Sequence, residues 1–210
     1  MLRPIIFWDW NGTLLNDVDI CVESMNLLLS KRGMKQIDVD FYRSAFDFPV
    51  IEYYKILGFN FEKESFEKLS VDFISEYNSR SQQANLHTDV LEVLEVFRKS
   101  GRKQVIVSAM EQSMLEKQLA EKNIRHYFDE VCGLKDIYAH GKLSMALEYM
   151  QSDNINPEDV LFIGDTLHDA EVAHEIGCDS VLVTNGHHNH ERLSVNGNKT
   201  IANLSELLKY

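Results

Sequence analysis

The chain has 210 residues, 44% of them hydrophobic and 26% charged, enough for a sizeable core and unlike a disordered chain or a coiled-coil rod. Its 33 acidic residues against 21 basic ones leave a formal charge of −12, which disfavours nucleic acid and anionic membrane without excluding a small anionic substrate. No apolar run approaches the roughly 20 residues of a membrane helix. Cys21, Cys132 and Cys178 are odd in number and scattered, so reduced thiols in a cytoplasmic protein are expected.

In chain order, Ile5-Ile6-Phe7-Trp8 forms the first predicted strand; it stops on Asp9, which does not fit a signal peptide. From 16 to 84 no strand pattern appears. Ile20, Val22, Met25, Leu28 and Leu29 have helical spacing, an aromatic-rich middle follows (Phe41, Tyr42, Phe46, Phe48, Tyr53, Tyr54), and Phe66, Leu69, Phe73 and Ile74 close it. We read a helical insert that separates the first strand from the rest of a sheet. Residues 85–210 then alternate. A helix with apolar Val90, Leu91, Val93, Leu94 and Phe97 ends near Gly101, and the strand Gln104–Val107 follows. Next come a helix with Met114, Leu115 and Leu119, a weaker strand around Glu130-Val131-Cys132, and a helix with Ala146, Leu147 and Met150. The strand Val160–Ile163, a helix over Ala170–Ile176 stopped by Gly177, the strand Ser180–Val183 and a short closing helix at Leu204–Leu208 complete the series. Continuous apolar strands alternating with helices predict an α/β fold with a parallel, doubly wound sheet. The expected division is 1–15 and 85–210 as core, with 16–84 as cap. Ligands of such sheets bind beyond the carboxyl ends of the strands.

Several polar residues fall there. Asp9 follows the first strand, with Gly12 permitting a tight turn; read alone, Asp9 caps the next helix. Ser108 follows Val107 and by itself reads as a helix N-cap. Asp165 and Asp169 follow Gly164, where both could serve a helix dipole. Lys142 follows Gly141, where a solvated lysine is the ordinary reading. Taken together they are more than this. Clustered carboxylates raise one another's pKa values, and a hard divalent cation relieves that repulsion.

The run Asp9-Trp10-Asn11-Gly12-Thr13, Ser108, Lys142 and the Gly164-Asp165…Asp169 segment together resemble the four motifs of the haloacid dehalogenase-like phosphohydrolases, in order and across the whole chain. The chain looks most similar to the phosphoglycolate-phosphatase group, whose small cap matches the insert. The resemblance implies a phosphatase acting on a small phosphorylated metabolite, with Asp9 as nucleophile. Mg2+ would be held by Asp9, Asp165 and the Asn11 carbonyl, and Asp169 would act through water or by orienting Lys142. Ser108, Lys142 and backbone amides near Gly12 would bind the phosphoryl group. The family pattern has aspartate as proton shuttle where this chain has Asn11, a loss commonly worth about 10² to 10⁴ in rate.

Other candidates carry less. His187, His188 and His190 read as a solvated loop, with a proton-shuttling or zinc role as alternatives; His168 reads as helix surface. Arg43 or Asp47 could touch substrate. Two competing functions follow from Asn11: a carbon–phosphorus hydrolase using a cap lysine, for which Lys55 is the nearest candidate, or a weakly catalytic binding module. Substrate identity and the choice between monomer and homodimer are not encoded in any motif.

Overall fold

The computed structural model describes residues 3–134 and 141–209. Strand β1 (Ile5–Trp8) leads through a tight loop to β2 (Leu15–Asn16), and four helices follow: α1 (Val18–Lys31), α2 (Val39–Ala45), α3 (Val50–Ile56) and α4 (Phe66–Arg80). The chain returns through β3 (Asn85–Leu86), which pairs antiparallel with β2, so the helical segment leaves and re-enters on adjacent strands. That small ribbon is absent from the sequence reading, since two residues are too few to show a period. Next come α5 (Val90–Lys99), β4 (Lys103–Glu111), α6 (Gln112–Glu121) and β5 (Glu130–Leu134). Then follow α7 (Lys142–Ser152), β6 (Val160–Gly164), α8 (Leu167–Ile176), β7 (Asp179–Val183), α9 (His190–Leu193) and β8 (Thr200–Ile201). The tail over Leu204–Lys209 is a 3-10 helix lying against α5.

The sheet runs β5-β4-β1-β6-β7-β8 with every pair parallel. Alternation along each strand splits the core in two. Ile6, Trp8, Ile106, Ile163 and Val183 face α5 and α6, while Phe7, Val105, Val107 and Phe162 face α7 and α8. The continuous apolar strands of the sequence are therefore buried on both faces, and each fully buried Val, Leu or Phe contributes about 1.5–3 kcal/mol. Two indoles in this interior have their N–H groups satisfied. Trp8 Nε1 donates to Gln104 Oε1 at 3.2 Å and Trp10 Nε1 to Gln118 Oε1 at 2.7 Å.

Local chemistry fixes the ends nearest the site. Thr166 and Asp169 form a reciprocal capping box at the start of α8, and Gly177 closes that helix in the left-handed conformation at φ +79°. Strand β4 does not end at Ser108. It continues to Glu111 with its pairing to β5 shifted between Val107 and Glu111, and the Glu111 carboxylate caps α6 by accepting from the Ser113 and Met114 amides. The reading of Ser108 as an N-cap is thereby corrected; the register shift leaves its side chain buried at the sheet edge. Among the described residues, no helix is long and apolar enough to cross a membrane.

Candidate active site

β1 sits in the middle of the sheet between β4 and β6, so Asp9, Ser108 and Asp165 are delivered to one edge by three adjacent strands. Lys142, the first residue of α7, completes the group. Its ammonium donates to Asp9 Oδ1 at 2.5 Å and to Asp169 Oδ1 at 2.6 Å, and all three side chains are buried. The solvated-lysine reading is overturned. Asp169 also accepts at Oδ2 from the amides of Asp165 and Thr166 and from the Thr166 hydroxyl. It is therefore both helix cap and anchor for Lys142.

Asp165 is held just as tightly. Its Oδ1 accepts from Thr13 Oγ1 at 2.7 Å and its Oδ2 from the His187 amide at 2.6 Å. Gly12, at φ +75°, passes so close that a Cβ there would lie 2.2 Å from Asp165 Oδ2, and a Cβ on Gly186 would meet the same atom at 2.2 Å. Only glycine lets both loops close on this carboxylate. Ser108 Oγ accepts from the Met110 amide at 3.2 Å and lines the same cavity.

A second buried cluster adjoins the first and escaped the sequence reading. Asp17 Oδ1 accepts from the Gly12 amide at 2.9 Å, while Oδ2 accepts from Asn11 Nδ2 and Tyr77 OH, both at 2.7 Å. His187 Nε2 lies 3.4 Å from Asp17 Oδ1, and its Nδ1 lies 3.0 Å from Tyr42 OH. Ligand-type atoms of Asp17, Cys21 and His187 come within 4.8 Å of one another, but the imidazole–carboxylate contact already accounts for two of the three groups. Nothing local in the sequence joins Asp17, Tyr77 and His187.

The electrostatics follow from burial and pairing. Burial pushes the Asp9 carboxyl well above its usual range, and Lys142 opposes this without cancelling it. Asp165 is raised for the same reason, with His187 opposing. For Asp169 and Lys142 burial is also the largest effect, yet their mutual attraction outweighs it: Asp169 is lowered and the lysine raised. His187 is buried, but its contacts with Asp17 overcome desolvation and raise it to about 9. Four buried carboxylates (Asp9, Asp17, Asp165, Asp169) thus face two buried cations, Lys142 and His187. Atoms of Asp9, Asp165 and Asp169 lie within 4.8 Å of one another. An all-oxygen, buried, net negative donor set fits a hard divalent cation.

The histidine loop is largely not solvated. His187 and His188 are buried and only His190 is exposed. His188 Nδ1 accepts from the Leu167 amide at 3.2 Å, and burial together with Arg192 pushes its pKa down to about 4. Arg43 is not directed at the cavity, contrary to expectation. It donates from Nε to the Gly186 carbonyl at 2.9 Å and from Nη2 to that of Asn185 at 3.0 Å. Arg192 answers from the core side, donating to the carbonyls of Arg43 and Phe46 and to Asp47 Oδ2 at 2.6 Å. These two arginines clasp α2 to the loop after β7, which also removes Asp47 as a substrate contact. His168 lies at the same seam, its ring 4.8 Å from that of Phe48. Lys55 is half-exposed, pairs with Glu52 at 2.6 Å and does not line the cavity, so the Schiff-base reading loses its residue.

The cavity itself measures about 410 Å³. Its floor carries Asp9, Asn11, Ser108 and Lys142, and its walls come largely from the helical segment through Phe46, Phe48, Tyr54, Phe66, Phe73 and Ile74.

Comparison with known proteins places the chain as a whole. The chain is 22% identical over 200 residues to a phosphoglycolate phosphatase of Aliivibrio fischeri, covering 90% of this chain and 88% of that one. Its fold matches a haloacid dehalogenase-like family hydrolase from Streptococcus pneumoniae with a TM-score of 0.84 at 22% identity, covering 100% of this chain and 98% of that one. It also matches protein tyrosine kinase A of Mycobacterium tuberculosis with a TM-score of 0.83 at 20% identity, covering 99% and 97%. At such identities the structural likeness establishes the fold alone. The sequence profile of the haloacid dehalogenase-like hydrolases, however, spans residues 5–183, and the chain belongs to that family of hydrolases.

Proposed function

We propose that the protein is a Mg2+-dependent phosphatase that hydrolyses a small phosphomonoester through an aspartyl-phosphate on Asp9. The observation that carries this reading is the buried Lys142 ammonium, held between Asp9 and Asp169 beside Asp165 at the floor of the cavity. The lysine fixes the Asp9 carboxylate and keeps a positive charge where phosphoryl oxygens must settle. In the first step an Asp9 oxygen bonds to phosphorus as the ester P–O bond breaks, and the leaving oxygen departs with the electron pair and takes its proton from solvent. In the second, water attacks the same phosphorus, phosphate leaves and the Asp9 carboxylate is restored. Ser108 and the amide next to Gly12 supply hydrogen bonds to the phosphoryl oxygens. Asp9, Asp165 and the Asn11 carbonyl would hold the metal, with Asp169 acting through water. Its role would be to offset charge on the phosphoryl group.

Asn11 cannot shuttle a proton, and its amide donates to Asp17 at 2.7 Å and to Tyr77 OH at 2.9 Å. Its service is to hold the loop that carries Asp9.

Phosphate release from a panel of phosphomonoesters, with Mg2+ and with excess chelator, tests the reading. Asp9→Asn is expected to lower turnover by about 10³-fold or more while the fold persists. Residual activity above a tenth of wild type, or full activity in chelator, would remove Asp9 or the metal from the scheme.

A further inference from the structure

The cavity above Asp9 divides by chemistry. Its floor is polar, but its walls are largely apolar: Phe46, Phe48, Phe66, Phe73 and Ile74 from the helical segment and Met114 from α6, with Ser70 and Asn78 of α4 as the polar exceptions on the helical side. Among the described residues that line it, the cations are Lys142 and His187. Both are committed, Lys142 to Asp9 and Asp169, and His187 to Asp17 and Tyr42. Arg43 and Arg192, at the seam between α2 and the loop after β7, are spent on the clasp. A carboxylate or second phosphate on the ester body would find no free counter-charge among the described lining residues, and Glu111 in the lining would repel it. The position next to the scissile oxygen gives an independent sign. Asn11 offers no acid, and its amide hydrogens are occupied by Asp17 and Tyr77. An alkoxide leaves poorly without a proton, whereas a phenolate leaves unaided.

Resting on the phosphatase reading, we propose that the substrate is the phosphomonoester of an uncharged, apolar aryl alcohol rather than of a hydroxy acid or of pyrophosphate. The aryl ring packs against the aromatic walls. When Asp9 bonds to phosphorus, the phenolate takes the electron pair of the broken P–O bond and gains its proton from solvent.

The test compares 1-naphthyl phosphate, phosphoglycolate and pyrophosphate, each with Mg2+ present. Turnover is measured on wild type, and equilibrium binding on Asp9→Asn, because aryl esters are intrinsically more reactive and binding is free of that bias. The expected result is kcat/KM at least about 100-fold higher for the naphthyl ester, and binding at least about 10-fold tighter. Ile74 is 52% exposed while lining the cavity, so Ile74→Arg adds the missing cation at little risk to folding. It should weaken the naphthyl ester and strengthen phosphoglycolate, each by roughly 5-fold or more. Preference for phosphoglycolate or pyrophosphate in both assays overturns the inference and leaves the phosphatase reading intact, as does unaltered selectivity in Ile74→Arg. No phosphate release from any ester, or equal release by Asp9→Asn, overturns the phosphatase reading and this inference with it.

Discussion

The floor and the walls of the cavity are built by different physics. The floor consists of buried charged groups near the ends of parallel strands: Lys142, Asp165 and Asp169 each make two or more side-chain hydrogen bonds, and Asp9 is held by Lys142. The walls are half-buried aromatic and aliphatic side chains on helices of the 16–84 segment, joined to the core by a two-stranded ribbon and two arginine clasps. Moving a floor group leaves a buried charge unpaired, which is costly. Moving a wall group removes a few contacts from a partly wet surface. Chemistry should therefore resist substitution on this scaffold while specificity drifts.

The sharpest way to break that contrast is Lys142→Met. It strips the cation from between two buried carboxylates and should cost about 3–5 kcal/mol, together with most of the turnover. The deficit should depend on pH in a defined direction. Without Lys142, Asp9 and Asp169 have folded-state pKa values above their unfolded ones. Stability of the variant then falls as pH rises above about 4, and the gap to wild type is wider at pH 8 than at pH 5. In the wild type Asp169 is depressed by Lys142, so its contribution is intact above about pH 4 and is lost only as pH falls through the folded value. Urea unfolding in chelator across pH 4–8 measures the slope of the variant, and extending it below pH 4 measures that of the wild type; a pH-independent deficit would mean that the lysine is structural filler.

A smaller effect is expected at the junction of floor and loop. Asn11→Asp places a carboxylate oxygen 2.7 Å from Asp17 Oδ2, where Asn11 now donates. Burial and like charge raise the pKa of the pair, so stability should drop by about 1–2 kcal/mol at pH 8 and recover toward pH 5 as a proton is taken up. The same carboxyl supplies the absent acid. Single-turnover phosphorylation should shift in favour of alkyl over aryl esters by ~10-fold, within the usual worth of such a group. An unchanged ratio would defeat the argument that this site lacks a proton shuttle.

The mildest change belongs to the walls. Phe73 is half-buried on α4, lines the cavity and stacks on Tyr77 with ring centroids 6.3 Å apart. Phe73→Leu should cost less than about 1.5 kcal/mol with no pH dependence between 5 and 8. It should raise KM for an aryl ester severalfold with kcat nearly unchanged, the mark of lost uniform binding. A fall in kcat of the size caused by floor variants would erase the distinction between the two regions.

How much of this was readable from the chain depends on the range of the interactions. Asp9, Ser108, Lys142, Asp165 and Asp169 could be gathered from sequence because each directly follows an apolar run or opens a helix, and parallel winding sends strand ends to one edge whatever the intervening lengths. The sheet and both of its faces were legible for the same reason, since periodicity is local. Read alone, Ser108 passes for a helix cap, because the register shift that carries β4 on to Glu111 has no local signature. Arg43 was misassigned because the carbonyls it binds lie 142 and 143 positions away. Likewise, no property of Asp17, Tyr77, His187 or Arg192 taken singly announces a buried network. A solvated histidine and a protonated one buried beside a carboxylate are the same letter, and desolvation and partners exist only once the chain is folded. The sequence by itself determined which strand ends and helix starts carry the charges of the floor. Tertiary structure alone decided which of them are paired, which remain in excess, and that, among the described residues, aromatic walls stand over them without a free cation.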